Sequence, residues 1–212
     1  MTDKKEIRAF NFEVRAENDE ERGDYIEGRA IVYGERTDLG WYDEIIAPGA
    51  LDNTDLKDVR LLINHNTDMI PLARSRNNNA NSTMQLKVID GEGMDIRANL
   101  DTQNNADAKS LYSATKRGDI SGMSFMFVVD KDDWEDEDTE HPTRTIYSIE
   151  KVFEVSAVTF PAYEATSLEA RGLCDALDSA RESLESAKAE RREREREKEK
   201  IKIIAEVIAN GH

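Results

Sequence analysis

Ile120-Ser-Gly-Met-Ser-Phe-Met-Phe-Val-Val129 is the stretch on which the reading of this chain turns. As a strand it places Met123, Phe125, Phe127 and Val129 on one side, and Ile120, Gly122, Ser124, Met126 and Val128 on the other. Both faces are apolar, and Ser124 stands among them. A hydroxyl in such a strand costs free energy unless a partner takes its hydrogen bond. Downstream, Ile146–Val158 is a second apolar strand, interrupted by Glu154 within Lys151-Val-Phe-Glu-Val-Ser-Ala-Val158. Lys131–Pro142 separates the two and carries seven acids against one lysine, which predicts a solvated loop.

Upstream the signals remain those of strands from about Glu6 onward. Ile7–Val14 alternates, Tyr25–Tyr33 is β-prone, and Gln85–Ile89 with Met94–Leu100 flank a Gly91-Glu-Gly93 turn, the pattern of a hairpin. Ala106–Lys116 has helical spacing with a stop at Arg117-Gly118, and Leu51–Val59 after Pro48-Gly49 is a weaker helix candidate. Many short strands with few flanking helices predict a mainly β fold, a mostly antiparallel barrel, over residues 1–167. Beyond Pro161 the character changes. Leu173, Leu177, Ala180, Leu184 and Ala187 form a helical stripe, and Arg191–Lys200 alternates in sign. Residues 168–212 are therefore expected to be a helical, coiled-coil-like tail outside the barrel.

Composition narrows the function. With 45 acidic and 29 basic side chains the formal charge is -16, which disfavours general nucleic-acid binding because phosphate contacts need surplus Lys and Arg. The single cysteine, Cys174, excludes an internal disulfide framework and a multi-cysteine zinc site, and suits a reducing cytoplasm. No apolar run reaches the roughly 18 residues that span a bilayer. The charged start, Met-Thr-Asp-Lys-Lys-Glu, has no secretory pattern, so the expectation is a soluble cytoplasmic protein without membrane partners.

The histidines are His65, His141 and His212. His65 follows Val59-Arg-Leu-Leu-Ile63, a strand-like run, and enters the polar turn Asn64-His-Asn-Thr-Asp68. A strand end opening into a loop fixes a side chain and leaves it accessible, and imidazole exchanges protons near neutrality. An imidazole beside Ser124 would satisfy its hydroxyl and activate it, and Glu154 would orient the ring through an N–H donor. The alternative reading makes these an ordinary loop histidine, a serine bonded to its own backbone and a paired carboxylate. Histidine pairs at metal-binding helical spacing are lacking, and Cys174, beside Asp175, has no electropositive setting.

Several segments, in order, resemble the tailed-phage prohead protease family of the Hong Kong 97 type, whose fold is similar to the herpesvirus assemblins. They are Ile26-Glu-Gly-Arg-Ala-Ile-Val-Tyr33, Glu44-Ile-Ile-Ala-Pro-Gly-Ala50, Leu62-Ile-Asn-His65 with Pro71-Leu-Ala-Arg74, Arg117-Gly-Asp-Ile-Ser-Gly-Met-Ser-Phe125, and Glu154-Val-Ser-Ala-Val-Thr-Phe-Pro-Ala162. The resemblance spans about Tyr25 to Thr166. It implies His65 as general base and Ser124, in its Met-Ser-Phe context, as nucleophile, with Ser121 the competitor. Glu154 matches the third, acidic position; the herpesvirus enzymes use a second histidine there, a role open here to His141. Met126 departs from the small residue expected after Ser-Phe. The resemblance further implies a cofactor-free serine endopeptidase acting inside the assembling prohead in the host cytoplasm. Its partners would be the major capsid protein with its scaffolding segment, and the enzyme itself through autocleavage and a possible homodimer. The tail would pair with the scaffold and be cut away. The rival is a non-catalytic scaffold or capsid-interaction protein.

Overall fold

The computed structural model describes residues 5–10, 14–159 and 169–209. Its centre is a long antiparallel hairpin of β10 (Gly122–Glu135) and β11 (Thr143–Val158), with Ser124 opposite Ser156 and Glu135 opposite Thr143. The first part of the expected acidic loop, residues 131–135, is thus strand. Burial overrides its charge: Trp134 is enclosed, its ring stacked 5.7 Å from Trp41, and Asp132 receives the buried Arg144 at 2.6 Å. Only residues 136–142 remain as connection.

The far edge of β11 is shared by two short strands, both parallel to it. β5 (Asp43–Ile46) pairs along 143–146 and β6 (Asp58–Ile63) along 154–157. β4 (Arg36–Asp38) and β7 (Ala73–Arg76) extend these two outward. On the opposite edge, β1 (Glu6–Phe10) lies antiparallel to β10. A second sheet runs in the order β2 (Val14–Asp19), β3 (Gly23–Val32), β9 (Gly93–Asn99), β8 (Met84–Ile89). The β8–β9 hairpin is the one expected from the sequence. Gly93 is required in it: at φ 136° its missing side chain lets the Ile31 carbonyl approach where a Cβ would lie 2.0 Å away.

The main core includes Ile26, Ile31, Met84, Met94 and Ile96 of the second sheet with Leu61, Met123, Phe125, Phe127, Val152 and Val155 of the first. The predicted closed antiparallel barrel is not what forms. The two sheets keep separate edges, and the first is mixed, because β5 and β6 return to β11 in parallel.

Helix α1 (Ala106–Arg117) appears where the spacing predicted it. Asn105 caps its first turn by accepting from the Asp107 and Ala108 amides, and Gly118 ends it at φ 81°. Leu51–Val59 is not helical. Successive short-range turns (Ala50 N–H to Ala47 O, Asp52 N–H to Gly49 O, Thr54 N–H to Leu51 O) bring the chain into β6, which takes Asp58 onward. Helix α2 (Glu169–Ala209) is the expected tail. Its first half is not outside the fold: Ala180 and Leu184 are buried against Tyr42 and Trp134, with Leu177 and Ala187 at the margin. From Leu177 to Ala187 the stripe read as a coiled-coil seam therefore covers an aromatic cluster of the same chain. The charged run from Arg191 to Lys200 is largely exposed. The expected boundary at 167/168 lies outside the described residues.

Candidate active site

Three strands deliver the site. Ser124 stands near the start of β10, Glu154 and Ser156 share one face of the adjacent β11, and His65 follows β6, the next strand across. The pairing of Ser124 with Ser156 and of Met126 with Glu154 puts hydroxyl and carboxylate on the same side of the sheet.

His65 reaches that side through an uncommon backbone. Both Asn64 (φ 49°) and His65 (φ 54°) are left-handed, a conformation that persists in non-glycine residues only when the surroundings enforce it. The enforcement is visible. Asn64 donates its amide to the Ala157 carbonyl at 3.1 Å, and its side chain clasps Thr159 by accepting from its amide (2.9 Å) and donating to its hydroxyl (3.0 Å). The His65 amide donates to Ser156 Oγ at 3.1 Å.

The imidazole then spans the other two groups. Nδ1 lies 2.6 Å from Glu154 Oε1, and Nε2 lies 2.6 Å from Ser124 Oγ. Glu154 is 3 % exposed and its second oxygen accepts from Ser156 Oγ at 2.5 Å, so both carboxylate oxygens are occupied. With Nδ1–H donated to Glu154, Nε2 is the ring's acceptor and faces the serine hydroxyl. The arrangement can withdraw a proton from Ser124 while the carboxylate stabilises the resulting imidazolium.

Ser121 sits exposed just before β10, and it is Ser124 that meets His65. His141 lies in the β10–β11 connection, at the other end of the hairpin from Ser124, where Nε2 is 3.0 Å from Asp43 Oδ1. With the exposed Asp38 and the partly buried Asp43 it forms a group at metal-ligand spacing, apart from the serine site. His212 lies outside the described residues. Ser156 was missed from sequence. Its signal was available, since residues i and i+2 of a strand share a face and Glu154-Val-Ser156 carries a hydroxyl beside the buried acid. Also unforeseen is a contact on the serine itself: Ser124 Oγ donates to the Arg8 carbonyl at 2.8 Å.

Among the described residues, no helix is long and apolar enough to cross a membrane. No solved structure matches the chain. The prohead protease of Enterobacteria phage HK97 is 29% identical over 174 residues, which cover 80% of this chain and 69% of that protein. The sequence profile of the caudovirus prohead serine proteases matches residues 10–179, so the chain belongs to that family.

Proposed function

We propose that this chain is a serine endopeptidase of phage capsid maturation, with Ser124 as nucleophile, His65 as general base and Glu154 as the acid that orients and charges the ring. The observation that carries the reading is the continuous chain Glu154–His65–Ser124, with both links at 2.6 Å. His65 takes the Ser124 proton as Oγ attacks a scissile carbonyl, and the imidazolium returns it to the leaving amine. Water, deprotonated by the same ring, then releases the acyl group. Ser156 and the Asn64–Thr159 clasp fix His65 and Glu154 before substrate arrives, which limits reorganisation during attack.

The substrates are the scaffolding segment of the major capsid protein and the enzyme's own chain, cut within the prohead. Residues 168–212 serve as an arm of the catalytic part at 1–167, docked on it through Ala180 and Leu184 until it is cut away. Support for this comes from the exposed Ile201, Ile203 and Ile204 near the end of α2. Incubating purified chain with capsid protein and following intact masses over time tests the proposal. Discrete cuts in both proteins are expected from wild type, and none from Ser124→Ala or His65→Ala. Capsid binding without any cut, in every condition, would favour the non-catalytic scaffold protein instead.

A further inference from the structure

Ser124 has no exposed surface. What covers it is β1, which occupies the outer edge of β10 with Ala9 opposite Ser124 and Arg8 opposite Phe125. Without β1 that edge of the nucleophile strand would present unpaired backbone donors and acceptors, which is the kind of surface that binds an extended peptide by strand addition. The family match begins at residue 10, so all of β1 but its last residue precedes the matched region.

The Arg8 carbonyl competes with His65 for the one proton of the nucleophile. The Ser124 hydroxyl has one proton and two acceptors in range, the Arg8 carbonyl at 2.8 Å and His65 Nε2 at 2.6 Å. If the proton goes to Arg8 O, Nε2 must itself donate, and with Nδ1 facing Glu154 the ring is already protonated on both nitrogens. If it goes to Nε2, the Arg8 oxygen faces a lone pair. Moreover, the carbonyl oxygen, rather than its carbon, points at Oγ, so β1 is held in a pose that does not react.

The side chains of β1 enter a built site on the other face of the strand. The Arg8 guanidinium is buried, donating to both Glu44 oxygens (2.6 Å to Oε2 through Nη2) and to Tyr42 Oη at 3.3 Å, and lying 5.6 Å from the Phe127 ring centre. Glu6 is 1 % exposed and accepts from Arg144 at 2.8 and 3.1 Å. Removing β1 takes away one acid and one base, and leaves Glu44 and Asp132 facing Arg144, an excess of one negative charge. That residue is complementary to a cation where Arg8 sits and to an anion where Glu6 sits.

We infer that β1 is a tethered substrate mimic: it blocks the peptide-binding edge of β10 and displays the sequence character of the substrates that replace it. These are extended peptides with an acidic residue two positions before an arginine or lysine, cut on the carboxyl side of the basic residue. The inference rests on Ser124 being the nucleophile. In the reaction, the carbonyl carbon of the basic residue bonds to Oγ, its bond to the following nitrogen breaks, and that amine leaves with the proton from His65. Water then restores the hydroxyl and frees the new carboxylate. Helix α2 holds the blocking strand, since Ser179 Oγ donates to Glu6 at 3.0 Å.

The test uses the full chain, a quenched fluorescent peptide copying residues 5–11 (Lys-Glu-Ile-Arg-Ala-Phe-Asn), and a fluorophosphonate that labels activated serines whatever their specificity. Arg8→Glu sets like charge against Glu44 and expels β1. It is expected to speed both peptide cleavage and Ser124 labelling at least ~10-fold over wild type, since the competent population rises when a blocked state is removed. The product is expected to begin with Ala, and the same peptide with Glu in place of Arg is expected to resist. Arg8→Ala replaces Arg8→Glu if the latter does not fold. Labelled Ser124 with no gain in rate, or cleavage indifferent to the basic residue, would overturn the inference while leaving the serine peptidase intact. No labelling of Ser124 in any variant would instead sink the peptidase reading on which it rests.

Discussion

The sheet carries two buried polar clusters, and they are built on different logic. Glu154, His65 and Ser124 belong to β11, the β6 end and β10, all fixed by the main core, and their supports, Ser156 and the Asn64–Thr159 clasp, come from the same strands. Glu6, Arg8, Glu44, Arg144 and Asp132 form a charge network in which two of five members arrive on β1, a peripheral strand. Charge balance there is a matter of docking. Glu6 shows it: burial alone would raise its carboxyl, but Arg8 and Arg144 outweigh that and hold it below its usual 4.5. Burial likewise pushes the Tyr42 phenol up to about 12, keeping it neutral among these charges. The first cluster is preorganised for chemistry, whereas the second holds a movable strand in place. Damage to the first should therefore remove activity and spare the fold, and damage to the second should cost stability without removing activity, raising it where β1 is freed.

The largest expected effect is on the first cluster. Glu154→Gln keeps the shape but removes the charge that stabilises the imidazolium, and kcat should fall by about 10³–10⁴-fold with the circular dichroism spectrum unchanged. A comparable loss of urea stability would break the contrast. Arg144→Met comes next. It leaves Glu6 and Glu44 with fewer counter-charges in a dry setting, and unfolding in urea should show a loss of about 3–5 kcal/mol. An unchanged midpoint would mean the network is ornamental.

Ser156→Ala removes one hydrogen bond to a buried carboxylate, worth about 1.5–3 kcal/mol. Expressed in kcat this is roughly ten- to a hundred-fold, with KM unaltered, and Ser156→Thr should recover most of it. A change in KM alone would assign Ser156 to substrate contact. The smallest effect is with pH. Because the folded pKa of Glu6 is depressed, its contribution is present above about 4.5 and is lost as pH falls through the lower folded value. The groups facing Glu6 are Arg8 on β1, Arg144 on β11 and Ser179 on α2. Neither arginine titrates in this range, so amide exchange of residues 6–9 should accelerate below pH 4.5 before that of β10 and β11. Simultaneous loss of all three strands would show that β1 has no separate stability.

Much of the catalytic cluster was legible because it violates a local pattern. A serine and a glutamate inside apolar strands, and a histidine at a strand end, stand out by alternation alone, and the β8–β9 hairpin and α1 follow from turn and cap residues. The rest depends on pairings that alternation does not encode. Closure into a barrel was expected, but the parallel return of β5 and β6 to β11 is a long-range choice. The acidic connector looked solvated because its partners, Arg144, Trp41 and Ser183, come from elsewhere in the chain. That Ile7–Phe10 and Val14 pair in different sheets, with the first stretch lying over Ser124, is register across more than a hundred residues, and no local signal reports it.

The most direct test of the account is to map, by peptide mass, where a fluorophosphonate attaches to the unaltered full chain, beside His65→Ala. A single adduct on Ser124 that disappears without His65 is the predicted result. Attachment to Ser121, or to Ser124 at an equal rate with His65 removed, would contradict it.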